Sequence, residues 1–312
     1  MVNCVTPVDF AVAGVFSHYI FGFSETQHQI GKLNSIMKSL NQFISQIVGR
    51  PYKERVVYSC MFGFSEAFKD RNYPEDADTD YICFTDDRNL ESETWRFVVV
   101  DTTLYGPQKT SKLVKLCPHL FLSDYKTSLY VDNTVRINSP LNEIFFHLSS
   151  IVPFVTYRHD LWDCAYTESD AVIEAKYADP RILKLQIENY ERDGLPRHAG
   201  LYHSAILLRN HNHRGVKKFG DLWFREIQKY SYRDQVALSY LAWKYSFKLH
   251  VFDGYSTDDN LVFWPEDVGP RLPRGFVDDE YLHLNPDLDL NGMTPREHFL
   301  KIGSQVGLAW RQ

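Results

Sequence analysis

From Val56 onward the chain alternates short apolar runs with stretches of helical spacing, and this alternation constrains the fold more than any other feature. VVYSCMF (56–62), YICFTDD (81–87), WRFVVVD (95–101), SLYVDNTV (128–135), IVPFVTYRH (151–159), LYHSAILLRN (201–210) and KLHVFDG (248–254) read as strands. Residues 110–117, 140–148, about 164–177, 180–192, 216–229 and 232–245 read as helices between them. Such alternation predicts an α/β, Rossmann-type, mainly parallel sheet with helices on both faces. Ligands of such sheets bind beyond the carboxyl ends of the strands, so the residues that finish each run are the ones to examine.

Two segments stand apart. Ile30, Leu33, Met37, Leu40, Ile44 and Ile47 alternate spacings of three and four across residues 26–48, the seam of a short coiled coil or of an amphipathic helix docked on its neighbour. That segment is a candidate for self-association or for contact with a neighbouring domain, and it also suits a linker within a longer polypeptide. Beyond about residue 275 the text becomes compact and helical, with its own Gly and Pro punctuation. The expected division is therefore an N-terminal helical segment over 1–50, a catalytic domain over 51–270 and a small helical module over 271–312.

Composition removes several classes of function. A net charge of -6, with Lys and Arg dispersed, argues against a nucleic-acid partner. The five cysteines are odd in number and widely spaced, with no CxxC pair, so neither a zinc site nor a disulfide framework is indicated. Reduced thiols suit a cytoplasmic location, with peripheral attachment at the inner face of a membrane left open. The N-terminus lacks a basic n-region, and no transmembrane run is expected. The high aromatic share suits either a plain aromatic core or a core that opens onto a carbohydrate cleft.

Several strand ends carry acids. YICFTDD finishes in Asp86 and Asp87, and Asp132 follows the run SLYV. A strand-end Asp can be a turn residue, or it can hold a divalent metal such as Mn2+ or Mg2+ on a diphosphate. Asn133 and Thr134 follow Asp132, so no Asp-x-Asp pair exists there. His250, near the end of the last run, is a second candidate metal ligand. Downstream, Arg158, His159 and Asp160 end a strand, and His203 and Ser204 lie near the start of another. Ser231 is expected as a helix N-cap, with Asp234 at the N3 position as a capping acid or as a carboxylate facing the cleft.

These pieces, in this order, resemble a plant and bacterial glycosyltransferase family long known as a domain of unknown function, which includes rhamnogalacturonan galacturonosyltransferases. The matching stretches are VVYSCMFGF, YICFTDD, the Trp of WRFVVVD, KLCPHLFLSDYKTSLYVD, YRHDLWDCAYTESDAVI, QIENYERDGLP and LWFREIQKYSYRDQVALSYLAWK. The resemblance implies a GT-A-like fold, a nucleotide-sugar donor and a glycan or glycolipid acceptor. It also implies that Lys115, His119, Asp132, Arg158, His159, Arg233, Asp234 and Gln235 line the active cleft. On this basis Asp234, Gln235 and His159 are the candidate catalytic residues. Ser59, Asp86, Asp87, Lys115, His119, Asp132, Arg158, His203 and Arg233 are the candidate donor-binding residues, with Asp132 and His250 as metal ligands if a metal is used. Asp234 would be the general base of an inverting enzyme or, with Gln235, would orient donor and acceptor in a retaining one.

YLHLNPDL (281–288) and EHFLKIGSQVGLAWR (297–311) resemble a short helical repeat appended to bacterial cell-surface polysaccharide glycosyltransferases, through Asn285-Pro286-Asp287, His298, Gly303, Gly307 and Arg311. This implies transfer of a sugar, from a UDP-sugar donor, in capsule or O-antigen assembly, with the module serving packing or docking. The alternative is a catalytically inactive glycan-binding or scaffolding subunit, for which the missing second acid speaks. A hydrolase would need a nucleophile or metal cluster that the sequence does not display.

Overall fold

The computed structural model describes residues 53–310 apart from 64–66, 71–72, 74–75, 266–271, 273–275 and 304–307. The segment 26–48, and with it the expected coiled-coil seam, lies outside the described residues.

All seven predicted runs form strands of one sheet: β1 (Arg55–Met61), β2 (Thr79–Thr85), β3 (Arg96–Val99), β4 (Thr127–Val131), β6 (Phe154–Thr156), β7 (Ile206–Arg209) and β8 (His250–Val251). Two short strands, β5 (Arg136–Ile137) and β9 (Val262–Phe263), pair antiparallel in a separate ribbon. The main sheet has the order β3-β2-β1-β4-β7-β6-β8. Every strand in it runs the same way except β7, which is antiparallel to both β4 and β6. The mainly parallel α/β sheet is as expected; the reversed strand is a finding that alternation of elements does not encode.

Burial on both faces explains why the strands read as continuous apolar runs rather than as alternating ones. Val56, Tyr58, Ile82, Phe84, Tyr130, Leu207 and Phe154 point to one core. Their neighbours Val57, Tyr81, Cys83, Leu129, Ile206, Leu208 and Val155 point to the other. The first core is covered by α1 (Gly106–Leu116), α3 (Ala165–Glu174), α4 (Pro180–Arg192), α5 (Arg214–Lys229) and α6 (Asp234–Lys244). The second is covered more thinly, by α2 (Leu141–Phe145), by loop residues such as Phe68 and Trp95, and by the β5–β9 ribbon. Helices thus lie on both faces but unequally.

Gly220 of α5 is required where that helix meets the end of α1, because a Cβ there would strike the Leu116 carbonyl oxygen. Helix α6 starts at Asp234 with Arg233 as its N-cap, two residues later than the expected Ser231 cap. The Ser231 hydroxyl instead accepts from the Arg233 N–H at 3.2 Å, and the indole N–H of buried Trp223 fixes the new start by donating to the Asp234 carbonyl at 2.9 Å.

Beyond the sheet domain, Phe276, Tyr281 and Phe299 build a small third core, flanked by Leu288, Leu308 and Trp310. Its helices are α7 (Asp278–Leu284) and α8 (Pro295–His298), the latter opened by a Thr294–Glu297 capping box and followed by a single π turn (Phe299–Gly303). No helix among the described residues is long and apolar enough to cross a membrane.

Candidate active site

Because β7 runs backwards, its start shares the C-terminal rim with the ends of β1, β2, β4 and β6. The Asp132 N–H donates to the Ala205 carbonyl at 2.8 Å, locking the end of β4 to the start of β7. Beyond β6 the His203 N–H donates to Tyr157 O, and the His159 N–H donates to Leu201 O, both at 2.9 Å. Distant stretches of sequence are thereby laid side by side at one edge.

At the centre of that edge sits a buried charge cluster. Helix α1 leaves the rim after β3, and its Lys112 and Lys115, one turn apart, lie on the same helix face. Asp234 Oδ2 is 3.1 Å from Lys112 Nζ and 2.9 Å from Lys115 Nζ, while its Oδ1 accepts from the Ser204 hydroxyl at 3.1 Å. Lys115 also reaches Asp132 Oδ1 at 3.4 Å and lies over the Tyr130 ring, and the Tyr130 hydroxyl donates to the same oxygen at 2.5 Å. Lys115 is 1% exposed, whereas 18% of the Lys112 side chain reaches solvent.

Burial by itself would raise the Asp234 pKa, but the two ammonium groups outweigh it and hold the carboxyl well below the usual range. Burial pulls Lys115 down and the two aspartates more than restore it. Burial wins at Lys112, whose pKa falls despite Asp234. A cleft of about 240 Å³ adjoins the cluster, lined by Cys60 to Gly63, Lys112, Asp132 and Tyr232.

A second group of polar residues continues from the first. Gln235 Nε2 donates to Glu168 Oε1 at 2.9 Å, and Glu168 Oε2 accepts from the Trp162 indole at 3.1 Å and lies 3.7 Å from His159 Nε2. His159 stacks on His203, whose Nε2 pairs with Asp160 Oδ1 at 2.9 Å. Burial lowers the pKa of both histidines against the pull of these acids, so both are neutral near pH 7.

The predicted site residues therefore divide. Lys115, Asp132 and Asp234 share one cluster, and Gln235, His159 and His203 share the second, the two adjoining through the neighbouring pairs Asp234–Gln235 and His203–Ser204. Arg233, just ahead of Asp234, lies against the Tyr177 ring, its guanidinium 5.5 Å from the ring centre. Asp86 accepts from the Gly63 N–H at 3.1 Å at the cleft edge, and buried Asp87 closes a turn by accepting from the Asn89 N–H at 2.9 Å. The Ser59 side chain is buried below the cleft, on the second core's side of the sheet, so only the backbone beyond it lines the cavity. Arg158 is exposed beside Tyr202 and is not drawn into the network.

Besides Arg158, two placements differ from expectation. His119 follows the far end of α1, at the opposite end of the sheet from the rim, where its Nε2 meets Asp221 Oδ1 at 3.0 Å. Desolvation there lowers its pKa to about 3, so it is a neutral hydrogen-bond donor rather than a diphosphate cation. His250 on β8 pairs in register with Val155 of β6, three strands from β4 with β7 and β6 between, and is not brought to Asp132. Lys112, Ser204 and Glu168 join the network unassigned by the sequence. Two of them carry a signal: Lys112 its i, i+3 spacing to Lys115, and Ser204 its place beside His203 near the start of a strand.

A divalent cation at Asp132 would find one carboxylate, with one oxygen already held by Tyr130 and Lys115. Asn133 is turned away: its side chain accepts from the Lys69 N–H at 2.8 Å and donates to Ala67 O at 2.7 Å. The donors present at the rim do not fit a dedicated divalent-metal site.

Residues 75–262, more than half of the chain, match the family described as TOD1/MUCI70, glycosyltransferase-like domain. The chain belongs to this family. Within it, the TOD1/MUCI70-type domain is 26% identical over 171 residues to the probable hexosyltransferase MUCI70 of Arabidopsis thaliana, which covers 49% of this chain and 28% of the relative. The chain thus spans little more than a quarter of that protein's length. Among solved structures, the domain is similar to the WbbM bifunctional glycosyltransferase in its apo form (TM-score 0.39, 11% identity, 65% of this chain and 39% of that one). It is also similar to mouse xyloside xylosyltransferase 1 in its apo form (TM-score 0.39, 11% identity, 65% and 86%). A third similarity is to the galactosyltransferase LgtC in complex with donor and acceptor sugar analogs (TM-score 0.35, 13% identity, 63% and 72%).

Proposed function

We propose that this domain transfers a sugar from a nucleoside-diphosphate donor, with UDP-sugars as the donor class, to a hydroxyl of a glycan or glycolipid. The observation that carries this is the Lys112–Asp234–Lys115 cluster beside Asp132 at the edge of the rim cleft. When the bond from the anomeric carbon to the diphosphate oxygen breaks, negative charge develops on the leaving group. Ammonium groups already fixed at that point stabilise it without reorganisation.

Lys112, partly open to the cleft, faces the diphosphate, and Lys115 holds Asp132 and Asp234 behind it. The Cys60–Gly63 backbone and Asp86 receive base and ribose. A carboxylate held as strongly anionic as Asp234 is a weak proton acceptor, so its role is to position the two lysines. Gln235 orients the reacting groups, and the resemblance to galacturonosyltransferases favours retention at the anomeric centre. His159 and His203 complete the edge on the acceptor side. No step is assigned to a metal. The resemblance of the C-terminal module supports surface-polysaccharide assembly in a bacterium, capsule or O-antigen, as the setting.

Incubation with a panel of UDP-sugars and measurement of released UDP tests this. Release is expected with at least one donor, falling roughly 10²–10³-fold in Lys112→Met, the loss typical of one electrostatic stabilising group. Absence of release and of nucleotide binding with every donor would favour the scaffolding alternative, which the turned-away Asn133 supports.

A further inference from the structure

At the end of the sheet opposite the rim, three side chains of different chemistry converge. Cys117 and His119 flank Pro118 just beyond α1, and Asp221 comes from α5. Their ligating atoms, one from each residue, all lie within 4.8 Å of one another. The convergence is built by the backbone. Gly220 lets α5 lie against the Leu116 carbonyl, and this close approach sets its neighbour Asp221 beside the end of α1. The buried Cys117 thiol has only weak partners, the Gly220 carbonyl at 3.5 Å and Asp221 Oδ1 at 4.0 Å. Asp221 keeps 30% of its side chain exposed, which leaves an approach from solvent.

We propose that Cys117, His119 and Asp221 form a zinc site, separate from the donor cleft. Thiolate, imidazole and carboxylate together select a borderline-soft ion over Mg2+ or Ca2+, which prefer all-oxygen ligands. Tetrahedral zinc sets neighbouring donor atoms roughly 3–4 Å apart, so small side-chain rotations close the present arrangement, with water as the fourth ligand. Binding exchanges the thiol proton for the metal and changes no oxidation state. The ion would clip α1 to α5 two residues beyond Lys115, and so stiffen the helix that carries the rim lysines.

The test uses the whole chain, stripped of metal and titrated with Zn2+ and with Co2+ as a spectroscopic probe. One equivalent is expected, with a thiolate-to-cobalt charge-transfer band and a zinc-dependent rise in melting temperature. Cys117→Ser should abolish the band, and Asp221→Asn should weaken binding at least about tenfold. Because Asp221 is half-buried, its variant carries the test even if the buried Cys117 change impairs folding. Lack of stoichiometric binding, or a band and affinity unchanged in the variants, would overturn the proposal. Neither readout involves sugar transfer, so the outcome is independent of the donor-site assignment.

Discussion

The rim network and the C-terminal module both contain the residues that make their stretches of sequence recognisable, yet they use them in opposite ways. In the module the motif is consumed by packing. Asn285 donates to Tyr281 O at 2.8 Å and Ala309 O at 2.6 Å, and His298 Nδ1 pairs with the Tyr281 hydroxyl at 2.9 Å. Gly303 is glycine because a Cβ would strike that same hydroxyl. At the rim, by contrast, the sheet and helices need none of the charge they carry. Lys115 and Asp234, with most of Lys112, are brought out of water beside the more exposed Asp132 at the edge of a cleft, where apolar residues would pack at least as well. A recognisable motif is therefore not itself evidence of chemistry; desolvated charge beside a cavity is the sharper sign.

The contrast can be broken by substitution. Asp234→Ala should have the largest effect, because it leaves Lys112 and most of the Lys115 charge uncompensated. A loss of about 3–5 kcal/mol in denaturant unfolding is expected, together with loss of transfer. A change under 1 kcal/mol would mean that the cluster is not buried as described. The pH dependence of stability comes next. Burial lowers the His211 pKa to about 4, only partly offset by its bond to Leu122 O, while Ser128 meets its other nitrogen. The unfolded chain then binds the extra proton first. The stabilisation is full above about pH 6.5 and is lost as pH falls toward 4, about 3 kcal/mol in all. Urea titrations across that window should show a slope that is smaller by this amount in His211→Gln, the share of His119, also lowered by burial, remaining in both proteins.

Gly303→Ala should cost about 1–3 kcal/mol by overpacking. If the module only packs, UDP release should be unchanged by it; a matching loss of turnover would erase the distinction between the two regions. The smallest stability change, within about 1 kcal/mol, is expected for Lys112→Met, since Asp234 keeps Lys115 as partner and the apolar stem is retained.

Much of this was legible in the sequence. Seven apolar runs became seven strands, and the helix over 180–192 matched at both ends, where Asp179 caps it with Pro180 following. The resemblance points to Lys115, strand-end position to Asp132 and helix-start position to Asp234, and the three do meet. The rest depends on long-range geometry. Nothing local in ILLR shows that β7 is reversed, yet that reversal is what carries His203 and Ser204 to the rim. His119 sits four residues beyond Lys115 but at the other end of the sheet, because the lysine side chain extends back along α1 whereas the histidine follows the turn out of it. Glu168 reads as an ordinary helix-surface acid and becomes a buried acceptor only when Trp162 and Gln235 close over it.

Calorimetric titration of UDP into the wild type and Lys112→Met tests the central claim most directly. Saturable binding by the wild type, weakened at least tenfold in a variant of unchanged melting temperature, is the predicted result, corresponding to about 1.4 kcal/mol or more from one ammonium on the diphosphate. Equal affinity in the two proteins, or no binding of UDP by the wild type, would contradict it.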